Sequence, residues 1–246
     1  MLRAYSPGLS GASILMYHSI GDNKAFFTVR PDMFDTQMRY LKERGFSVVP
    51  LRALIKKMQT GESVAGYVAI TFDDGYKDNF DIALPILKKY GFPATIFVIS
   101  GLIGQARRYI SEDSLDIMTA DDMRFLGHTG LIDVMPHSVS HRKLAKVAAT
   151  DAIKEIENSR AAIESITGAS ADIFAFPKGS FSQELSLYLR DHGWAGAITV
   201  REGIVKADDD VFTLKRNSID SSTTMLQFKA KVSDAIAIYS KFKLLR

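Results

Sequence analysis

Short apolar runs rich in β-branched residues alternate along the chain with segments in which apolar positions follow a helical period. Seven runs are typical of buried strands and cover residues 14–17, 46–49, 67–72, 94–99, 131–134, 173–176 and 197–200. Helical segments cover residues 33–45, 80–91 and 151–168, and each ends at a glycine. Residues 101–114 have weak periodicity and mixed charge, which predicts a long loop. The alternation predicts an α/β fold of parallel strands joined by helical crossovers.

The strand–helix units fit either an open doubly wound sheet or a closed barrel, and periodicity does not choose between them. With 246 residues, of which 46% are hydrophobic, the chain can bury one sizeable core, so we expect a single domain over residues 1–246. In both architectures catalytic side chains gather at the carboxyl ends of the strands. Polar residues directly after an apolar run are therefore candidates: His18, the pair Asp73 and Asp74, and His137 with His141.

Composition and charge exclude several classes of protein. The chain has 31 Lys and Arg against 28 Asp and Glu, a net charge of +3, and its basic residues are scattered, so nucleic acid is not an expected partner. Cysteine is absent, which excludes disulfides, thiolate metal ligands and cysteine nucleophiles. No apolar run reaches ~18 residues and no signal peptide is evident, so we expect no membrane span and, by default, a cytoplasmic location. Composition carries no prediction of the oligomeric state.

An apolar strand, residues 68–72, runs directly into the adjacent carboxylates Asp73 and Asp74 and then Gly75. Adjacent Asp residues are in general more often a solvated turn. A pair that emerges from a buried strand lies at the edge of the core instead, where a cation or another partner must offset the repulsion between the two charges. The pair is therefore a candidate for metal binding or catalysis.

His137 and His141 are four residues apart, a spacing that on a helix or its first turn points both imidazoles to one side. The alternative is two surface histidines on one helix face. Together with a strand-end Asp, the pair offers two nitrogens and one carboxylate to a metal and leaves coordination positions open for water or substrate. Zinc suits this set, and cobalt, nickel or iron fit the same ligands. Motifs of other hydrolases and of nucleotide-binding proteins are missing from the chain, which leaves metal-assisted hydrolysis.

Four motifs follow one another along the chain: Thr71-Phe72-Asp73-Asp74-Gly75, Pro93-Ala94-Thr95-Ile96-Phe97-Val98, His137-Ser138-x-x-His141 and Phe174-Ala175-Phe176-Pro177-x-Gly179. In this order they resemble the motifs of the NodB-homology polysaccharide deacetylases, also called carbohydrate esterase family 4. The resemblance implies a distorted (β/α)7 barrel and a divalent metal held by Asp74, His137 and His141. It also implies that Asp73 is the general base and that the backbone N–H of Tyr76 helps to stabilise the oxyanion.

Two departures from the usual family pattern point to one branch of it. The Arg that typically orients the catalytic Asp corresponds here to Ala175, and no histidine follows His192, whereas typical members carry a catalytic His near the C-terminus. Both features resemble the poly-N-acetylglucosamine deacetylases in which the motifs are circularly permuted and a Tyr-His near the N-terminus supplies the acid. Tyr17-His18 resembles that element, which implies that His18 is the general acid. The alternative is a strand-end histidine whose hydrogen bonds are satisfied within the fold.

The resemblance implies hydrolytic removal of acetyl groups from an N-acetylglucosamine-containing polysaccharide or oligosaccharide, with release of acetate. Two alternatives remain at this point: a catalytically impaired carbohydrate-binding protein, suggested by Ala175, and a deacylase of another small amide or ester. Sugar rings stack on apolar side chains, and Phe176, Pro177 and Trp194 are candidates for such a surface. The competing interpretation is that these side chains belong to the core.

Overall fold

A computed structural model of the protein describes residues 8–108 and 114–237. Its strands are β1 (Ala12–Tyr17), β2 (Ser47–Val48), β3 (Tyr67–Phe72), β4 (Ala94–Val98), β5 (Ala106–Arg108), β6 (Ser114–Asp116), β7 (Ile132–Pro136), β8 (Ile173–Ala175), β9 (Gly196–Ile198) and β10 (Asn217–Ser218). Its α-helices are α1 (Pro31–Glu43), α2 (Leu51–Gln59), α3 (Leu84–Tyr90), α4 (Ala120–Gly127), α5 (Ala149–Thr167), α6 (Gln183–Asp191) and α7 (Met225–Lys231). Strands and helices alternate, as the sequence predicts.

The main sheet is parallel, with the strand order β10-β1-β3-β4-β7, and β2 pairs with the start of β3. Its register aligns the last residues of the strands, since Tyr17 lies opposite Phe72 and Val98 lies opposite Pro136. The residue after each strand therefore emerges at the same edge. This register brings together the polar residues that follow β1, β3 and β7.

The remaining strands continue the arrangement around the core. β8 and β9 form a parallel pair, and β7 packs beside β8. At the other side Ile198 of β9 forms a parallel bridge with Leu214, three residues before β10 begins. Within the described residues, parallel strands thus follow one another around the molecule with an interruption between β7 and β8, in keeping with the distorted (β/α)7 barrel that the resemblance implies.

The predicted elements are found, with differences at their edges. All seven predicted strands are present, and the three predicted helical segments correspond to α1, to α3 with a preceding π-helical turn at Asn79–Ala83, and to α5. Four helices, α2, α4, α6 and α7, were not predicted, because they have only seven to nine residues and give a short periodic signal.

The prediction of a long loop over residues 101–114 is wrong in part. Residues Ala106–Arg108 pair antiparallel with Ser114–Asp116, so the segment forms a hairpin beside the main sheet, while residues 109–113 lie outside the described ranges. Strands of three residues are too short for an alternating pattern to be recognised. The hairpin matters because Arg107 lies on it.

Apolar side chains of the helices pack on the sheet. Phe34 of α1 is fully buried, and its ring meets the rings of Tyr17 and Phe72 edge-on, with centroids 5.2 and 5.8 Å apart. A second apolar cluster lies between α5, α6 and the β8–β9 pair. Over residues 8–108 and 114–237, the helices are too short or too polar to traverse a bilayer.

Replacing Phe34 by Ala is expected to lower the free energy of unfolding by about 3–5 kcal/mol, because a fully buried aromatic ring leaves a cavity against two strands. Urea unfolding followed by circular dichroism measures the loss. Phe125→Ala is the matched control, since Phe125 is 51% exposed and should cost far less. Equal losses in the two variants would contradict the packing described for α1.

Candidate metal centre

Three loops at the carboxyl edge of the sheet bring the predicted site residues together. His18 follows β1, Asp73 and Asp74 follow β3, and His137 follows β7. Among the described residues, ligand atoms of Asp74, His137 and His141 lie within 4.8 Å of one another. The grouping predicted from sequence spacing and resemblance is therefore present in the geometry.

Asp74 turns sharply away from the strand that precedes it. Its φ of +72° lies in the left-handed region, and Gly75 follows with a φ of +80° at a point where a Cβ would come within 2.9 Å of the Val98 side chain. Its Oδ2 atom accepts a hydrogen bond of 2.8 Å from the Tyr76 hydroxyl and lies 2.7 Å from Arg107 Nη1. Its Oδ1 atom is buried and has no hydrogen-bond partner.

The unpartnered Oδ1 atom of Asp74 faces both histidines. Nε2 of His141 lies 3.3 Å away and Nε2 of His137 lies 3.7 Å away. On the other side of its ring, His137 Nδ1 lies 2.7 Å from the Ala175 carbonyl oxygen, and it must donate this bond because a carbonyl can only accept. Nε2 of His137 therefore presents its lone pair to the centre of the group.

The histidines do not lie on a helix, so the predicted helical geometry is wrong. Residues 137–141 form a loop in which Ser138 and His141 have φ values of +63° and +58°. The Ser138 hydroxyl accepts the backbone N–H of His141 at 2.9 Å, which closes the turn. The two left-handed residues curl the chain so that both rings point inward, with centroids 5.0 Å apart.

Glu155 of α5 holds this histidine loop from behind. Its Oε2 atom accepts the backbone N–H groups of Val139 and Ser140 at 2.9 and 2.8 Å, and its Oε1 atom accepts the Ser140 hydroxyl at 2.6 Å. A carboxylate that accepts three hydrogen bonds is strongly oriented. No sequence pattern indicates this contact, since Glu155 lies among other charged residues of α5.

The donor set fits a divalent metal. Burial lowers the pKa of His137 and is the largest cause that lowers the pKa of His141, to about 3, so both imidazoles are neutral at physiological pH. Burial alone would raise the pKa of Asp74, but nearby positive charge, which includes the guanidinium of Arg107, outweighs burial and keeps the carboxylate ionised. Two neutral imidazoles and a carboxylate with a buried, unpartnered oxygen are ligands that zinc and similar cations prefer.

Asp73 points to a different partner, Arg216. The guanidinium makes two parallel bonds of 2.6 Å to the two carboxylate oxygens, and its Nε atom donates to the Thr199 carbonyl at 2.9 Å. Burial would raise the pKa of Asp73, but the charge of Arg216 and its hydrogen bonds hold the pKa well below its usual range. Arg216 thus supplies the guanidinium that the family pattern places at the position of Ala175. Sequence reasoning missed it because a lone Arg before a two-residue strand looks like a surface cation.

His18 lies at the same edge, directly after Tyr17, whose partner Phe72 directly precedes the Asp pair. Its ring packs against Phe27 at 5.5 Å, and Phe27 stacks on Tyr76, whose hydroxyl holds Asp74. The charge of His18 contributes to lowering the pKa of both Asp73 and Asp74. The imidazole is half-buried, so one side of it remains accessible from the solvent.

The predicted sugar-stacking residues lie inside the fold. Phe176 is fully buried, Pro177 is buried, and Trp194 is 4% exposed with its indole N–H donating to Glu157. Phe176 and Trp194 each pack edge-on against Phe174 in the second apolar cluster. Stacking needs a free ring face, so the structure favours the competing interpretation that these side chains are core.

Comparisons with known proteins agree on one family. The polysaccharide deacetylase model matches residues 60–197. YxkH of Bacillus subtilis, a candidate polysaccharide deacetylase, is 27% identical over 220 residues, which covers 89% of this chain and 75% of that protein. The poly-beta-1,6-N-acetyl-D-glucosamine N-deacetylase of Staphylococcus aureus is 23% identical over 198 residues, which covers 77% of this chain and 67% of that protein.

A solved structure shares the fold. The Streptococcus pyogenes deacetylase PplD in complex with acetate matches with a TM-score of 0.79 and 24% identity, covering 92% of this chain and 99% of that one. The fold class predicted from the sequence is confirmed by this similarity.

Replacing Arg216 by Gln is expected to lower the free energy of unfolding at neutral pH by about 3–5 kcal/mol, because Asp73 stays buried without its counter-charge. In the wild type the folded pKa of Asp73 is depressed, so its contribution to stability is complete at neutral pH and is lost only below about pH 4. In the variant, burial raises the pKa of Asp73, so the folded state binds the proton more tightly than the unfolded state. The difference in the free energy of unfolding between variant and wild type should therefore shrink as the pH falls.

Urea unfolding of the wild type and the Arg216→Gln variant at about pH 5 and about pH 7.5 measures that difference. Arg52→Gln is the control, because Arg52 pairs with Asp172 near the surface, where its Nη1 atom donates to both carboxylate oxygens and solvent screens the charges. A difference in the free energy of unfolding that is the same at both pH values would contradict the prediction that Arg216 keeps the buried Asp73 ionised.

Replacing Glu155 by Gln is expected to weaken zinc binding by roughly tenfold to a hundredfold, because an amide cannot accept all three bonds that orient the histidine loop. Competition with a chromophoric chelator measures the dissociation constant. Glu157→Gln serves as the control, since Glu157 is on the same helix but accepts bonds from Tyr188 and Trp194 instead. Unchanged zinc affinity in Glu155→Gln would contradict the role of Glu155 in orienting the histidine loop for metal binding.

Proposed function

Because this chain belongs to the polysaccharide deacetylase family, we propose that it is a metal-dependent hydrolase that removes acetyl groups from N-acetylglucosamine units of a glycan and releases acetate. The observation that carries the proposal is the buried group of Asp74, His137 and His141 beside a second carboxylate, Asp73, that is held ionised. Because the two carboxylates have separate partners, one can bind a cation while the other accepts a proton.

Asp74, His137 and His141 are proposed to hold the metal, and we propose zinc on the chemistry of this donor set. When bound, the metal supplies a Lewis acid that polarises the acetyl carbonyl. The protein contributes the orientation of the ligands: the Ala175 carbonyl sets the ring of His137, and the Tyr76 hydroxyl sets Asp74. Such partners outside the ligand set are what fix a metal site.

Asp73 is proposed to be the general base that takes the proton from the attacking water. Its pair with Arg216 keeps it ionised and fixes its direction, at some cost in basicity. Its Oδ2 atom lies 3.9 Å from His137 Nε2, so the carboxylate borders the proposed metal group. A water positioned there can lose its proton to Asp73 as it attacks the carbonyl carbon.

The tetrahedral oxyanion and the departing amine need partners too. The backbone N–H of Tyr76 is proposed to stabilise the oxyanion, and Gly75 permits the close approach of the chain at this point. His18 is proposed to protonate the sugar amine, since an amine anion is a very poor leaving group. Its position after β1, at the same edge of the sheet as Asp73 and Asp74, supports this role.

The glycan is proposed to contain β-1,6-linked N-acetylglucosamine. The support is the similarity to the Staphylococcus aureus enzyme named for that polymer, together with the Tyr17-His18 element near the N-terminus. The binding-only alternative was suggested by Ala175, and the two-pronged contact between Arg216 and Asp73 takes away that reason. The deacylase alternative differs from the proposal only in substrate.

The test is acetate release from poly-β-1,6-N-acetylglucosamine oligomers, with β-1,4-linked chito-oligomers and a small acetyl ester as parallel substrates. Asp73→Asn and His18→Gln should each lower turnover by at least ~100-fold through loss of acid–base catalysis, while zinc binding is retained. Asp121→Asn, on the exposed surface of α4, is the control. Wild-type turnover in Asp73→Asn would overturn the mechanism, and binding of the oligomers without acetate release by the wild type would favour the binding-only alternative.

A further inference from the structure

A guanidinium outside the proposed ligand set contacts two of the three ligands. Arg107 lies on the β5–β6 hairpin, and its side chain is 20% exposed. Its Nη1 atom lies 2.7 Å from Asp74 Oδ2, and its Nη2 atom lies 3.1 Å from His141 Nδ1. The first contact is an ordinary ion pair, but the second has a consequence for metal binding.

The contact with Arg107 selects one tautomer of His141. A guanidinium N–H can only donate a hydrogen bond, so His141 Nδ1 must accept it and the ring hydrogen sits on Nε2. His137 has the opposite arrangement, since its Nδ1 donates to the Ala175 carbonyl and its Nε2 presents a lone pair. The two neighbouring imidazoles are therefore held in different tautomers by their outer partners.

Only one of these tautomers can bind a metal at the centre of the group. The Nε2 atom of His141 faces Asp74 Oδ1, the side on which the ligand atoms converge, and ligation needs its lone pair. The ring hydrogen would then move to Nδ1, where it would oppose the N–H of Arg107. A divalent cation would in addition be repelled by the guanidinium charge.

We propose that Arg107 weakens metal binding at this centre. It holds His141 in the tautomer that cannot ligate through Nε2, so metal binding requires the guanidinium to leave His141 Nδ1. The inference rests on the metal group proposed above but on neither the substrate nor the reaction. Its consequence is that a side chain on the hairpin sets the metal affinity of the site.

The other contacts of the ligands do not depend on Arg107. The Tyr76 hydroxyl still holds Asp74, and the Ser138 hydroxyl still holds the backbone of His141. The removal of the guanidinium should therefore leave the ligands in place, relieve the repulsion and free the ring of His141. Gln is the sharpest substitution, because its amide oxygen can accept a bond from Nδ1–H and so favours the tautomer that ligates.

Zinc affinity, measured without substrate by competition with a chromophoric chelator, tests the proposal. Arg107→Gln should bind zinc roughly tenfold more tightly than the wild type. Arg107→Lys should stay close to the wild type, because an ammonium keeps the charge and can only donate. Arg124→Gln, on the exposed face of α4, is the control for loss of one positive charge. Equal or weaker zinc binding in Arg107→Gln would overturn the proposal.

A second measurement needs no variant. Long-range ¹H–¹⁵N correlation spectra of the protein freed of metal by a chelator should show His137 with its hydrogen on Nδ1 and His141 with its hydrogen on Nε2. Zinc should convert His141 to the Nδ1–H tautomer, and Arg107→Gln should do so in part without zinc. A His141 that already carries its hydrogen on Nδ1 in the metal-free wild type would refute this role of Arg107, whatever the outcome of the acetate-release experiment.

Discussion

The buried pair between Asp73 and Arg216 is the interaction on which the site depends. It neutralises a carboxylate at the end of a central strand, where an unpaired charge would carry a large desolvation cost. It also ties the segment leading into β10 to the end of β3, across strands that are not neighbours in the sheet order. The pair thus stabilises the fold and orients the proposed base at the same time.

Two adjacent Asp residues can both stay ionised here because the backbone separates their surroundings. The left-handed conformation of Asp74 sends its side chain toward the histidines, while the side chain of Asp73 pairs with Arg216. Each carboxylate has its own partners, which are either positively charged or metal-binding. These two sets of partners offset the repulsion between the carboxylates. This separation is consistent with the proposed division of metal binding and proton transfer between two neighbours in the chain.

A layer of contacts behind the ligands gives the site its rigidity. Glu155 fixes the histidine loop, the Ala175 carbonyl sets the tautomer of His137, and the Tyr76 hydroxyl sets Asp74. Arg107 belongs to the same layer but opposes ligation rather than supporting it. If the three residues ligate a metal as proposed, its affinity would depend on the balance of these outer contacts as well as on the ligands.

The alternation of strands and helices and the candidate ligands Asp74, His137 and His141 could be predicted from the sequence, because hydrophobic period and strand-end position are local properties. Three features became visible only in the folded molecule: Arg216 takes the place left by Ala175, Phe176 is buried, and the histidines lie on a left-handed loop. These features depend on the register between strands and on contacts between residues far apart in the chain. No local pattern encodes which distant side chain will fill a given space, and so the folded packing had to decide it.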